Sequence, residues 1–359
     1  LLAAKSGRTI GLESGAGDFA ISNIELGLIT AASLTIGNSS NGTITVGGVT
    51  SLTTPLTLNA TSTGSAVNFA TAASTGLGSL TINAGTGGVD FGVDVATTGS
   101  LTVNSDAAIA GAGILAVTGT ASFNTTGTSN ATVVSNSALT LGTSTVGGDL
   151  SVTVGGTSSL NVNGAIQVGG NTTLRANDDI IFAAAGDITT TTSGNIIVTA
   201  DNDSDNNGSG GAITMDAGTI FNAGTGTLAL SADEDITLGL LTTSSSSNAD
   251  VTLTSTSGGV RDGDTSSLDI SIGGRLVADV VTGFGTPDNA IETNLTSVDI
   301  DNTTSGGVNI FELDAIDIFK IDNAGTGDIQ VSFVGSATNQ QNAVAFSGSV
   351  SFIRRDTGN

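Results

Sequence analysis

The chain contains no cysteine, histidine, tryptophan or tyrosine, and only 2 prolines and 1 methionine among its 359 residues. Each absence removes a class of function. Without histidine or cysteine there is no imidazole base, no thiol nucleophile, and no zinc, haem or iron–sulfur site of the usual kind. Without cysteine there is also no disulfide, so core packing and backbone pairing must supply the stability. Charge is sparse at 11%, and its basic part is the scarcer: 8 Lys and Arg against 32 Asp and Glu, a net of −24. A chain of that sign repels phosphate, and no basic stripe interleaved with aromatics offsets it, so nucleic acid is excluded as a partner. No run approaches the roughly 18 apolar residues of a membrane-spanning helix. The opening LLAAKSGRTI is too short an apolar run for a signal peptide, and a chain beginning without Met reads as an excerpt or processed piece of something longer.

What is abundant is glycine, 52 residues of it, together with Thr, Ser, Val, Ile and Leu. Low charge and a mean hydropathy of +0.27 describe a folded chain rather than a disordered one. Its dominant pattern is a triplet, apolar–polar–apolar, bounded by Gly, Asn, Ser or Asp: Leu34-Thr35-Ile36, Leu56-Thr57-Leu58, Leu80-Thr81-Ile82, Leu101-Thr102-Val103, Leu139-Thr140-Leu141, Ile236-Thr237-Leu238. Alternation with period two and β-branched residues is the signature of a half-buried strand. Helical spacing is nowhere sustained, and glycine recurs too often for helices.

The triplets have a second period. Leu34, Leu56, Leu80 and Leu101 follow one another at about 20–24 residues, as do Leu139 and Leu160, which is one coil of a parallel β-helix. The prediction is an all-β chain, a right-handed parallel β-helix (β-solenoid) of roughly 16 coils. A narrow coil interior accepts Val, Ile, Leu, Ala and an occasional Phe, while Gly and Asn supply the corners. Outward Thr, Ser, Asn and Asp can stack in ladders from coil to coil. Tandem immunoglobulin-like domains would show a core Trp and a Tyr corner. A transmembrane barrel would need aromatic girdles that 12 Phe cannot build.

Charge divides the chain. Residues 1–175 hold 7 acidic and 3 basic residues, net −4; residues 176–359 hold 25 and 5, net −20. We read 1–175 as a near-neutral Thr/Ser/Gly-rich β-solenoid and 176–359 as its acidic continuation. The irregular stretches 201–211 (DNDSDNNGSGG) and 243–250 (TSSSSNAD) look like excursions from coil corners.

Three segments, LITAASLTIGNSSNGTITVGG from Leu28, GNIIVTADNDSDNNGSGGAITM (194–215) and AGTIFNAGTGTLALSADEDITLGLL (217–241), have a common phrasing. It resembles the repeats of very large bacterial surface proteins of the filamentous-haemagglutinin-like adhesin class. NAIETNLTSVDIDNTTSGGVNIFELDAIDI (289–318) is similar to another recurrent unit of the same proteins. The resemblance implies secretion, a right-handed β-helical shaft, and a role in adhesion, surface display or matrix; it carries no catalytic residues, and no recognisable N-terminal secretion domain accompanies it.

Candidate sites are few. Asp201, Asp203 and Asp205 alternate, so that a curled backbone aims several oxygens at one point, as a hard cation such as Ca²⁺ requires. The match to an EF-hand loop is incomplete, with Asn206 at the sixth position and Ala212 at the twelfth; a solvated polar loop is the plainer reading. Asp178-Asp179, Asp233-Glu234-Asp235, and Asp262 with Asp264 read as corner or turn acids, each with a shared cation as the alternative. A glycosidase needs facing carboxylates, which exist here, but the Trp and Tyr platforms of sugar subsites do not. Arg175, Arg261 and Arg275, the arginines a lyase would use, lie far apart in sequence. The resulting expectation is a non-enzymatic extracellular or cell-surface shaft that requires no cofactor. It would contact copies of itself, head to tail or laterally, or further solenoid of the same polypeptide. The alternative is a calcium-dependent module binding a glycan, a cell-surface ligand or a neighbouring protein; a polysaccharide-cleaving β-helix ranks last.

Overall fold

The computed structural model describes residues 1–2, 5–203, 210–265 and 267–355. They are nearly all short parallel strands, stacked as a β-solenoid of about 14 turns with almost no helix. The chain divides into two compact units, Leu1–Gly170 and Asn171–Asn359.

In the first unit the strands Leu34–Asn38, Leu56–Ala60, Leu80–Ala84 and Leu101–Ser105 stack in register, with Leu34 opposite Leu56, Leu56 opposite Leu80 and Leu80 opposite Leu101. Their alternating burial follows the alternating sequence: Leu56, Leu58 and Ala60 point inward, Thr57 and Asn59 outward. Like therefore lies on like. Ile36, Leu58, Ile82 and Val103 form one core column, and Asn83, Asn104 and Asn124 form an amide ladder. The Nδ2 of Asn104 donates to Oδ1 of Asn83 at 2.8 Å, and that of Asn124 to Asn104 at 3.0 Å, across 21 and 20 positions of sequence. A parallel stack of identical amides satisfies each side chain by its neighbour.

Two segments lengthen the repeat and account for about 14 turns where roughly 16 were expected from an even period. Ile10–Glu13 pairs with Ile44–Gly47, and the intervening chain adds the strand Phe19–Ile21 and the helix Asn23–Gly27. Ser22 and Glu25 close that helix in a reciprocal capping box, and the buried Leu26 anchors it. In the second unit Ala212 N donates to Asp179 across 33 positions of sequence.

Corner glycines set how closely coils approach. A Cβ on Gly147 would stand 2.2 Å from the Gly127 carbonyl oxygen, and one on Gly169 would stand 2.0 Å from that of Gly147. Gly147→Ala should therefore cost about 1–3 kcal/mol in urea denaturation, whereas Gly27→Ala, with open space around it, should be close to neutral. Equal behaviour of the two variants would refute the close-approach account.

Candidate functional site

The acidic residues have a recurring place. An Asp just before a strand accepts the backbone N–H of a residue about one turn later. Asp94 takes Ile114 N at 2.8 Å, Asp179 takes Ala212 N at 3.0 Å, Asp187 takes Ile220 N at 2.8 Å, and Asp235 takes Gly259 N at 2.7 Å. Asp328 takes Ser349 N at 2.7 Å, and that bond holds its carboxyl below the usual range. Asn130 does the same for Asp149 N and Asn195 for Thr227 N. A corner amide that would otherwise lack a partner is thus tied to the preceding coil. Asp233 accepts the Thr256 hydroxyl at 2.6 Å, and Asp235 also pairs with Arg261 at 3.3 Å. Arg261 in turn donates to the Thr282 hydroxyl at 2.9 Å, while Arg275 lies over the Phe319 ring at 3.6 Å.

Of the alternating triad, Asp201 has a left-handed backbone, φ 53°, and Asp203 is exposed. Asp205 lies outside the described residues.

Among the described residues, a different set of acids converges. Asp262 ends the strand Val260–Asp262, Asp269 immediately precedes Ile270–Ile272, and Glu292 is the second residue of Ile291–Asn294. Each offers a carboxylate oxygen, and these oxygens lie within 4.8 Å of one another. Parallel pairing forces the approach. Ile270 lies opposite Thr293, Asp269 N donates to Glu292 O at 3.0 Å, and Glu292 N donates to Asp269 Oδ2 at 2.9 Å. The Asp262 carboxylate folds over its own turn, where Oδ1 accepts Asp264 N at 2.7 Å. Asn289 clamps that turn by donating to the Asp264 carbonyl at 2.6 Å.

Asp269 is 2% exposed. Burial, reinforced by the neighbouring charges of Asp262 and Glu292, pushes its carboxyl up to about 9. Asp262 and Glu292 are also raised, chiefly by burial. Two oxygens, Asp262 Oδ2 and Glu292 Oε2, are buried without a hydrogen-bond partner. Asp262 and Asp264 stand out in the sequence as RDGDTSS; Asp269 and Glu292 do not. The signal that finds them is the coil period, since Glu292 lies 23 positions after Asp269 and each begins or adjoins a strand triplet.

Fold and ladders together define a repeat β-helical protein. In agreement, residues 77–130 and 128–195 match a family described as repeats of unknown function (DUF5649). No curated protein and no solved structure matches the chain.

Proposed function

We propose that the chain is a structural shaft of a bacterial cell-surface or secreted adhesin-like protein, with a mechanical rather than a catalytic role. The coil-to-coil ladder carries this reading. Backbone bonds, the asparagine stack and the corner carboxylates all join one turn to the next. The wording of the repeats, similar to filamentous-haemagglutinin-like adhesins, supports the surface location.

The most exposed apolar residues support contact between copies. Among the described residues, the three most exposed large hydrophobics are Ile24 and Leu28, each 79% exposed, and Phe346, 72% exposed. The first two lie in or beside the helix Asn23–Gly27, and the third follows Ala343–Ala345 in the last coils. We take these exposed apolar groups as contact surfaces, and a contact joining unlike surfaces of two copies propagates as a filament. Immunogold labelling of intact cells that encode the chain should decorate external fibres. Phe346→Ser should shorten or abolish those fibres while leaving label on the surface. Label that appears only after permeabilisation overturns the location; fibres unchanged by Phe346→Ser overturn the contact between copies.

A further inference from the structure

We propose that the outer face of the strands Val308–Glu312 and Ile329–Phe333 binds a neutral saccharide, one ring of which rests on Asn309, Phe311, Gln330 and Ser332. This goes beyond the shaft reading and does not depend on it.

Two observations carry the proposal. The first is a cleft. Parallel pairing sets Asn309 opposite Gln330 and Phe311 opposite Ser332. Alternation turns all four outward, since Val308, Ile310, Ile329 and Val331 fill the core. With strands about 4.8 Å apart and about 6.8 Å from one outward residue to the next, the four floor a patch close to the size of one pyranose ring. The turn carrying Pro287 and Asp288, together with Arg355, helps to line a cavity of about 220 Å³ over this floor. A second cavity, of about 570 Å³, shares Pro287, Asn309 and Gln330 with it, so further sugar units have room.

The second observation is that the polar floor is unpartnered. Asn309 and Ser332 are each only 3% exposed, yet among the described residues neither side chain makes a hydrogen bond, and neither does that of Gln330. Stacked amides elsewhere satisfy one another, Asn104 with Asn83 and Asn302 with Asn323. Asn309 and Gln330 stand directly opposite and exchange no such bond. A polar side chain buried without a partner is costly, and several lining one cleft point to a ligand that supplies the missing bonds.

The chemistry selects the ligand. Two amides and a hydroxyl offer donors and acceptors together, which matches sugar hydroxyls, themselves both donor and acceptor. The partly exposed Phe311 ring offers an apolar face to the C–H side of the sugar. Arg355 lies over that ring at 5.9 Å. It has no carboxylate partner among the described residues, so its guanidinium can donate to sugar oxygens. An anionic sugar is disfavoured, because Asp288 and Glu292 line the same cavity and residues 176–359 carry a net −20. The turn over the cleft is set before binding. Thr286 N and Asn289 N each donate to the other's carbonyl, at 2.8 and 3.2 Å, and Asn289 Nδ2 ties the turn to the Asp264 carbonyl. Such preorganisation lowers the ordering cost of binding.

The test is an array of immobilised neutral, sialylated and sulfated glycans probed with the labelled full chain. It is run in EDTA at about 0.15 M salt, where diffuse charge attraction is screened. Saturable binding to neutral glycans is expected, followed by calorimetric titration with the soluble oligosaccharide of the brightest spot. Gln330→Ala and Ser332→Ala should each raise Kd at least about tenfold. Neither should move the melting temperature by more than about 2 °C, because neither side chain bonds to the protein; a merely structural role would lower it. Gln330→Ala carries the test if Ser332→Ala fails to fold, since Gln330 is partly exposed. Phe319→Ala removes a ring that lies under Arg275 and outside the cleft, and should leave binding intact. An array without binding, binding confined to sialylated or sulfated glycans, binding retained in Gln330→Ala, or equal loss in Phe319→Ala overturns the site.

Discussion

Raising the pH from 5 to 9 in EDTA should destabilise the second unit, Asn171–Asn359, by several kcal/mol and leave the first nearly unchanged. The causes are two buried carboxyls, that of Asp269, pushed up to about 9, and that of Glu312, the last residue of the strand Val308–Glu312. The Glu312 side chain is fully buried. It accepts the Thr293 hydroxyl at 2.8 Å and the N–H groups of Leu295 and Asp314 at 3.4 and 3.3 Å. All three donors are neutral, so burial dominates and pushes the carboxyl up to about 8 from 4.5. Between those values the folded state keeps a proton that the unfolded chain has lost. The contribution is therefore fully present below about 4.5 and falls by about 1.4 kcal/mol per pH unit until the folded value near 8 is passed. Asp299, raised mainly by burial, acts in the same direction. Mutual repulsion within residues 176–359, of net −20, adds to it.

Opposing groups are weak. Asp18 and Glu25 in the first unit and Asp328 in the second have carboxyls lowered by backbone hydrogen bonds, and all three lie at the solvent. Glu312→Gln keeps a carbonyl oxygen to accept the same donors but does not titrate. It should remove the Glu312 share of the stability–pH slope between pH 5 and 8, leave the share that Asp269 contributes, and leave the variant more stable than the parent at pH 9. Denaturant melts across pH, with hydrogen exchange read separately at Ile291–Asn294 and Leu80–Ala84, check both statements. A variant with the parent's slope would show that Glu312 is not one of the titrating groups.

The contrast between Glu312 and Leu56 shows what can be read from sequence here. Leu34, Leu56, Leu80 and Leu101 betray both the strand and the coil, because period-two burial and the coil period repeat the same residue at the same place. Val308, Ile310 and Glu312 follow the same alternation. That pattern put a carboxylate inside, where its chemistry argues against it, and only the structure shows the three donors that make the position tolerable. Coil number was less legible, because longer intervals between paired strands leave no mark in the periodicity on either side; the 33-residue span from Asp179 to Ala212 is the example. For the site, reading neighbours along the chain singled out Asp262 and Asp264 but passed over Asp269 and Glu292. Their proximity is a product of stacking, so it appears only when residues are compared across one coil rather than within a loop. Asp201, Asp203 and Asp205 attract attention for the opposite reason, alternating within a single short stretch of sequence.

Phe182→Ala should remove about 3–5 kcal/mol from the second unit and confine the damage to the coils around it. Phe182 and Phe221 are both fully buried and meet edge to face, with ring centroids 4.7 Å apart. Their strands come from consecutive turns: Ile180–Phe182 lies beside Ile213–Met215, and Ile188 lies opposite Phe221. The pair thus fills the interior of two coils whose paired strands lie 33 positions apart in sequence. Truncation leaves a cavity that a coil cannot close, since its circumference is fixed by backbone ladders on every side. In a stack where each turn touches only its neighbours, the loss enters one interface term rather than the whole sum. Hydrogen exchange should therefore accelerate at Ile196–Thr199 and Ile213–Met215 while Ile329–Phe333, several turns later, keeps its protection. Phe182→Leu, which retains most of the volume, should cost less than half as much. Uniform deprotection of the unit in Phe182→Ala would mean that its coils unfold as one body and that nearest-neighbour coupling does not describe them.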